Sequence, residues 1–356
     1  MDDATMSSAD FCFVHAADLH LGGRRWLSRM PESAEMRHAV READRSAFRR
    51  LVQLCLDERA RFLILAGDVF DGWCRDHHVG YELCADLSRL REAHCDVVVT
   101  LGNHDVRSPV AGPLLLPQHA FVLGLTGPET RLFERAGVAF HSWSAPNIGR
   151  DDDVALHYPA PLSGLFNVGL LHTSAEGRRG HENYAPCSRL SLRRRGYDYW
   201  ALGHVHAREI VHREPWIVFP GNLQARGFRE LGPKGASLVR VKDGRVEGVD
   251  HRPLDVLRFA NVVTDTQGAR NFDDVLELGA RALLESQSQS DGRALVARLV
   301  FQGHAGARAV LGVSPHLRAE ALRRLTAKLE PARFWLDEAW LEFDEREAAL
   351  PLVLAA

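Results

Sequence analysis

Five short clusters in the first 206 residues combine side chains of metal-ligand type. They are AADLHLGG with Asp18 and His20, AGDVFDG with Asp68 and Asp71, LGNHDV with Asn103, His104 and Asp105, LLHTS with His172, and LGHVHA with His204 and His206. Carboxylates, imidazoles and one amide, without thiolate, suit borderline cations such as manganese, iron or zinc rather than a calcium cage or a cysteine-rich structural zinc. Seven candidate ligands are too many for one ion. Two divalent ions sharing a bridging carboxylate, with Asp68 as the natural bridge, would use Asp18, His20, Asp68, Asn103, His172, His204 and His206 and leave room for water and a phosphate oxygen. Phosphodiester hydrolysis needs such a pair, because the substrate is an anion that repels hydroxide and its leaving alkoxide is poor. His104, next to Asn103, is placed to stabilise phosphoryl charge or protonate the leaving oxygen, with Asp71 orienting its ring.

Side chains so far apart in sequence converge only if the elements before them share one edge. Each cluster follows a short apolar run of the kind a buried strand leaves: FCFV (11–14), FLILA (62–66), VVVTL (97–101), VGLL (168–171) and YWAL (199–202), with IVF (217–219) beyond them. Apolar spacing of three and four, as in Phe48, Leu51, Val52, Cys55 and Leu56, predicts helix over roughly 34–60, and a second helix is expected over 77–94. Ligands collect at the carboxyl ends of parallel strands, so these clusters can meet at one point of a mixed sheet sandwich. From about 251 the polar clusters stop. Strand 257–263, helix 272–286, loop 286–292, strand 294–302, helix 315–329 and strand 333–343 read as a small appended α/β domain, giving domains 1–250 and 251–356.

Composition sets limits. With 356 residues, 46% hydrophobic and 26% charged, the chain reads as two folded domains. Its six cysteines form no C-x-x-C pair and are expected to be buried thiols. The polar, acidic start does not read as a signal peptide and no apolar run is long enough to span a membrane, which leads to a cytoplasmic expectation. A net charge of −3 gives no global basic surface, so any DNA affinity must be local.

The ordered blocks D-x-H, G-D-x-x-D, G-N-H-D, a lone H and G-H-x-H, spanning residues 18 to 206, make the chain resemble the calcineurin-like metallophosphoesterases. That resemblance implies a four-layer α-β-β-α sandwich. It also implies one metal on Asp18, His20, Asp68 and His206, a second on Asp68, Asn103, His172 and His204, and a catalytic His104 paired with Asp71. The opening HAADLHLGG and the later FPGNLQARGFRELGPKG look like bacterial DNA repair exonucleases of the SbcD and YhaO type. In that family a small C-terminal domain caps the site, DNA is the substrate, manganese is the expected ion, homodimers form through the catalytic domain, and an SMC-like ATPase is the partner. Family members commonly bind that ATPase through a further C-terminal segment, whereas this chain stops soon after its last expected strand, which argues against such a partner.

Arg24, Arg25, Arg178, Arg179 and Arg226 are candidate contacts to a DNA backbone, set against a solvated, charge-mixed surface. Trp26 and Trp73 follow the first two clusters closely and either stack on an unpaired base or wall the pocket. His181 is a further candidate for substrate contact, while His15, His38, His77, His78 and His94 read as structural or solvated. Two alternatives remain beside a DNA exonuclease or endonuclease: a metallophosphoesterase of a small phosphodiester, nucleotide or phosphoprotein, and a non-catalytic subunit that grips DNA ends or a partner.

Overall fold

The structure is a computed structural model that describes residues 10–28, 30–112, 116–144, 152–175, 184–302, 315–342 and 350–352. The expected contacts Arg178, Arg179 and His181 lie outside the described residues. By internal contacts the chain divides into two compact units. The first comprises Met1–Gly23, Asp44–Gln224 and Lys234–Leu254, and the second Arg24–Ala43, Ala225–Pro233 and Asp255–Ala356.

The first unit is built on two six-stranded sheets. One contains β1 (Phe11–Ala16), β2 (Phe62–Ala66), β3 (Asp96–Thr100), β4 (Ala120–Val122), β11 (Gly235–Lys242) and β12 (Arg245–Pro253), in the order β12-β11-β1-β2-β3-β4. The other contains β5 (Glu129–Phe133), β6 (Val138–Ser142), β7 (Phe166–His172), β8 (Tyr199–Gly203), β9 (Glu209–Arg213) and β10 (Trp216–Phe219), in the order β5-β6-β7-β8-β10-β9. Strands β1 to β4 run parallel, as do β6, β7, β8 and β10, while the edges at β11, β12, β5 and β9 are antiparallel.

Period-two alternation explains why the central runs are continuously apolar. Phe13, Phe62, Ile64 and Val98 point inward, where they meet Val168, Leu170, Tyr199, Ala201 and Val218 of the facing sheet. Their neighbours Val14, Leu63, Leu65, Val97 and Val99 point outward into a core shared with α2 (Ala43–Asp57) and α3 (His77–Ser88), through Phe48, Leu51, Val52, Cys55, Val79, Leu83 and Leu87. The second sheet turns Leu171, Trp200, Leu202, Ile217 and Phe219 onto a thinner layer holding the 3-10 turn Val154–His157 and α5 (Arg189–Arg194). A strand buried on both faces has no polar positions to alternate. The result is the α-β-β-α sandwich.

The second unit is a β-α-β-α-β arrangement with β13 (Leu257–Asp265), β14 (Ala294–Gln302) and β15 (Phe334–Glu342) parallel and β16 (Leu350–Leu352) antiparallel at the edge. Two helices, Phe272–Ser288 and Pro315–Thr326, share a core with these strands through Leu276, Leu283, Leu299, Phe301 and Leu325. Asn271 caps the first of them by accepting from the Asp274 amide at 2.9 Å.

Two segments of the first 250 residues belong to this second unit, which a single division at 250/251 does not capture. Helix α1 (Ala34–Arg41), capped by Ser33, buries Met36 and Val40 against Leu257, Phe259 and Val296. The Trp26 amide donates to the Arg226 carbonyl at 2.7 Å, and Ser28 donates from its amide and hydroxyl to the buried Asp337 at 3.0 and 2.7 Å. The single helix expected over 34–60 is therefore two helices, broken at Glu42. Apolar spacing runs through the break because each half buries a face, against different partners. Strands β4, β5, β6, β9, β11 and β12 were not among the expected runs.

His15 on β1 is buried, and the hydroxyl of Tyr199 in the facing sheet lies 3.0 Å from its Nδ1. Burial pulls its pKa down to about 3. An unfolded histidine titrates near ~6.5, so the contribution of neutral His15 to stability is complete above that pH and is lost as the pH falls toward 3, at about 1.4 kcal/mol per unit. Urea midpoints recorded between pH 7 and pH 4 should fall more steeply for wild type than for His15→Gln. Equal slopes would remove His15 as a source of acid lability.

Candidate metal centre

The carboxyl ends of β1, β2 and β3 in one sheet and of β7 and β8 in the other carry all five clusters. Three overlapping groups of donor atoms form there, each with its atoms within 4.8 Å of one another: Asp18, His20 and His206; His20, Asp68 and His104; and Asp68, His172 and His204. Asp68 stands between the outer two. Its Oδ2 is 3.3 Å from Nε2 of His172 and 3.8 Å from Nε2 of His20. Nε2 of His20 is in turn 3.2 Å from Nε2 of His206, which lies 3.9 Å from Asp18 Oδ1.

Backbone geometry presents these groups. Asp18, His20, Asp68 and His204 all have positive φ, at 53°, 45°, 53° and 94°. Each such residue costs on the order of 1–2 kcal/mol, so four in one cluster are strain concentrated where donors must turn inward. Hydrogen bonds from the amides of Asp18, His20 and Leu21 to the carbonyls of Gly67, Asp68 and Val69, each 3.0 Å, zip the first two turns together. The Asp18 carboxylate accepts from the His204 amide at 3.0 and 3.1 Å, tying the two sheets at the site. Asp68 Oδ1 accepts from the His104 amide at 2.8 Å. Gly102 lies so close to Asp68 that a β-carbon there would collide with its carboxylate and amide, and one on Gly67 would collide with the His172 ring.

Electrostatics in the metal-free chain are dominated by burial. Burial alone would raise Asp68, but His172, His20 and His104 outweigh it and hold the carboxyl well below the usual range. Asp18 is raised by burial despite His206 and His172 nearby. Burial would depress His172, yet the Asp68 carboxylate lifts it to about 9, and its Nδ1 lies 2.9 Å from the Ala66 carbonyl, which directs Nε2 at Asp68.

The donor set fits a pair of divalent cations. Oδ1 of Asn103 is buried with no hydrogen-bond partner among the described residues, and the buried Nε2 of His172 faces the Asp68 carboxylate, at 3.3 Å. Asn103 opens α4 (Asn103–Arg107), between Gly102 and His104, which both touch Asp68. A buried amide oxygen left open, and an imidazole nitrogen whose proton a metal can displace, beside two buried carboxylates are what a cation would satisfy. Asp18, His20, Asp68, Asn103, His172, His204 and His206 are the residues that could hold it.

His104 differs from expectation in one respect. Its Nδ1 accepts from the Gly72 amide at 3.2 Å, so the neutral ring carries its proton on Nε2. Asp71, expected to orient this ring, has Oδ2 3.7 Å from Nδ1 of His20 and accepts from the Trp73 amide at 3.0 Å. The turn through Gly72 puts a backbone N–H under His104. Arg24, Arg25 and Arg226 belong to the second unit. Arg226 is engaged there, its Nε 3.7 Å from Glu230.

Several contributors were given no role from the sequence. Asp105 is buried and accepts from the amides of Phe70 and Gly102, both at 2.9 Å, bracing two of the turns, and burial with the nearby Asp68 raises its carboxyl to about 7. It sits in the G-N-H-D block, so the signal was there. Lys234 is buried and donates to the His206 carbonyl at 3.1 Å. Tyr184 places its ring 5.7 Å from that of His204 and 5.8 Å from that of His172, with a buried hydroxyl that has no hydrogen-bond partner. Neither lies in a ligand-like pattern.

Residues 12–208 match the family described as Calcineurin-like phosphoesterase. The chain belongs to that family. This calcineurin-like phosphoesterase is therefore a hydrolase of phosphoester bonds, with the candidate ligands above at its centre. Residues 259–343, in its second unit, match the middle domain of metallophosphoesterase YhaO. The phosphoesterase is 32% identical over 301 residues to the uncharacterized metallophosphoesterase YhaO of Bacillus subtilis, covering 83% of this chain and 72% of that one. It is 27% identical to the DNA double-strand break repair protein Mre11 of Methanopyrus kandleri, over 61% of this chain and 50% of that one. The Mre11 of Sulfurisphaera tokodaii is 24% identical, over 72% and 66%. The phosphoesterase thus spans half to about two thirds of these Mre11 chains. Among the described residues, no helix is long and apolar enough to cross a membrane.

Because Nε2 of His172 holds a proton below about pH 9 in the metal-free chain, a cation must displace it. Manganese affinity, measured by titration calorimetry in buffers of different ionisation enthalpy, should rise about tenfold per pH unit from pH 6.5 to 8.5 with release of a proton. Pairing with neutral ligands only would give a flat profile and no proton release.

Proposed function

We propose that this phosphoesterase is a two-metal phosphodiesterase that cleaves DNA as an exonuclease or endonuclease in repair, with manganese as the favoured ion and iron or zinc as alternatives. The observation that carries the reading is the pair of donor triads, Asp18–His20–His206 and Asp68–His172–His204, joined through His20 and Asp68 with His104 beside them. DNA as the polymer is supported by the names of the Mre11 relatives and by the YhaO match in the second unit. The pair of cations would supply neutralisation of the phosphate and a nucleophilic water at neutral pH.

The chain's own residues account for the remaining steps. Asp18 and Asp68 hold two negative charges in a buried pocket, ready for cations and closed to a bare phosphate. The Ala66 carbonyl orients the His172 ring, and the Asp18 carboxylate holds the His204 backbone, which limits the reorganisation the site needs. His104, with Nδ1 occupied by the Gly72 amide, presents an Nε2 proton to a phosphoryl or leaving oxygen.

The other reading is hydrolysis of a small phosphodiester. A formal charge of −3 and the engagement of Arg226 by Glu230 favour it, since both reduce attraction for a polyanion.

With manganese, labelled DNA and a chromogenic phosphodiester assayed side by side, DNA should be cleaved and chelation should stop the reaction. His104→Ala should lower kcat by about 10²–10⁴ at unchanged metal content. Asp68→Asn should abolish turnover and reduce bound manganese, while circular dichroism stays native. Turnover of the small diester alone would select the second reading, and full activity in both variants would place the chemistry elsewhere.

A further inference from the structure

The turn between Asp71 and Cys74 carries a side chain that the chemistry above does not use. Trp73 is 80% exposed, and among the described residues its indole has no ring, cation or hydrogen-bond partner. Its backbone is fixed nonetheless. The Trp73 amide donates to Asp71 Oδ1 at 3.0 Å, the Cys74 amide to the Asp71 carbonyl at 2.9 Å, and the Gly72 amide to His104 Nδ1. The indole is thus rooted on a hydrogen-bonded turn, one residue from the backbone group that orients His104.

Arg107 adjoins the same turn. It lies one helical turn after His104 on α4, is exposed, and makes no ion pair among the described residues. A β-carbon on Gly72 would stand 3.4 Å from Cβ of Arg107 and 3.4 Å from Nδ1 of His104, so indole and guanidinium are rooted on either side of His104's support. An exposed tryptophan costs solubility, and an unpaired arginine next to a phosphate-handling centre attracts anions. Together they offer a π-face and a phosphate donor, the two features of a strand-binding platform.

We propose that Trp73 and Arg107 form a nucleotide subsite beside the metal centre, Trp73 stacking on an unpaired base adjoining the scissile phosphate and Arg107 holding the next phosphate. The proposal rests on the DNA reading above and sharpens it to a strand with unpaired bases. A base inside a duplex has both faces covered by its neighbours, so only a frayed end or single strand can give one to the indole.

The test compares binding of a cleavage-resistant phosphorothioate oligothymidylate and of a blunt, fully paired hairpin, by fluorescence anisotropy in manganese buffer. Trp73→Ala should weaken oligothymidylate binding about tenfold or more and hairpin binding far less, and Trp73→Phe should recover most of the loss. Arg107→Ala should weaken both and reduce the salt slope by about one. On cleavable substrates, kcat/KM for oligothymidylate relative to a chromogenic diester should fall at least tenfold in Trp73→Ala, through KM. Equal binding by Trp73→Ala and wild type overturns the subsite alone. Loss of affinity accompanied by a changed oligomeric state in light scattering overturns it too, and reassigns Trp73 to a protein contact. A wild-type protein that hydrolyses the small diester yet binds neither nucleic acid overturns the DNA reading and the subsite together.

Discussion

Two carboxylates, Asp18 and Asp68, are buried where strands of both sheets end, and the rest of the site is arranged around supplying them with partners. A buried carboxylate is costly unless paired and hydrogen-bonded. Asp18 accepts twice from the His204 amide, and Asp68 accepts from the His104 amide beside the cationic His172. These partners come from the turn after β8, from the start of α4 after β3, and from the last residue of β7. Removing any one leaves charge unmatched in a low-dielectric pocket, so the site and the contact between the sheets stand or fall together.

Rigidity on one side allows strain on the other. Phe13, Phe62, Val168 and Tyr199 interlock between the sheets, and fully apolar strands such as β2 leave almost no freedom of register, because a slip of one residue would exchange the two cores. On that platform the four positive-φ residues can be held in conformations a free loop would abandon. Gly67 and Gly102 show the same economy of space: the carboxylate and imidazole approach the backbone where a methyl group would stand. Donors fixed in this way lose little entropy when a cation arrives.

Legibility in the sequence followed burial and pattern. The strands ending in ligand clusters could be read because burial on both faces leaves runs such as FLILA and VVVTL, and the clusters because carboxylate and imidazole spacing has few other uses. Strands at sheet edges could not. β12, RVEGVDHRP, alternates half-buried and exposed residues and resembles a loop, although Asp243 and Gly244, with φ of 50° and 71°, form the D-G turn that announces a hairpin. Lys234 and Tyr184 reach the site only through tertiary packing, which no spacing encodes. The role of Gly72 beneath His104 was hidden because a backbone amide does there what a side chain was expected to do.

The break at Glu42 has a consequence for how the second unit is connected to the chemistry. By connectivity alone, the chain leaves the first unit after Gly23, three residues beyond His20, and returns at Asp44; it leaves again after Gln224 and returns at Lys234. Both departures are pinned from within the first unit. The buried Asp44 carboxylate accepts from the Gly22 amide at 2.8 Å, closing the first excursion at its root. Lys234 donates to the His206 carbonyl, and the Asn222 amide donates to the same oxygen at 3.2 Å, closing the second. The excursions are thus anchored beside His20 and His206, the two imidazoles whose Nε2 atoms face each other. Asp68 and His172 lie away from both excursions along the chain, just after strand β2 and at the end of β7. Of the two halves of the candidate metal centre, the one built on Asp18, His20 and His206 is the half whose residues border both excursions along the chain.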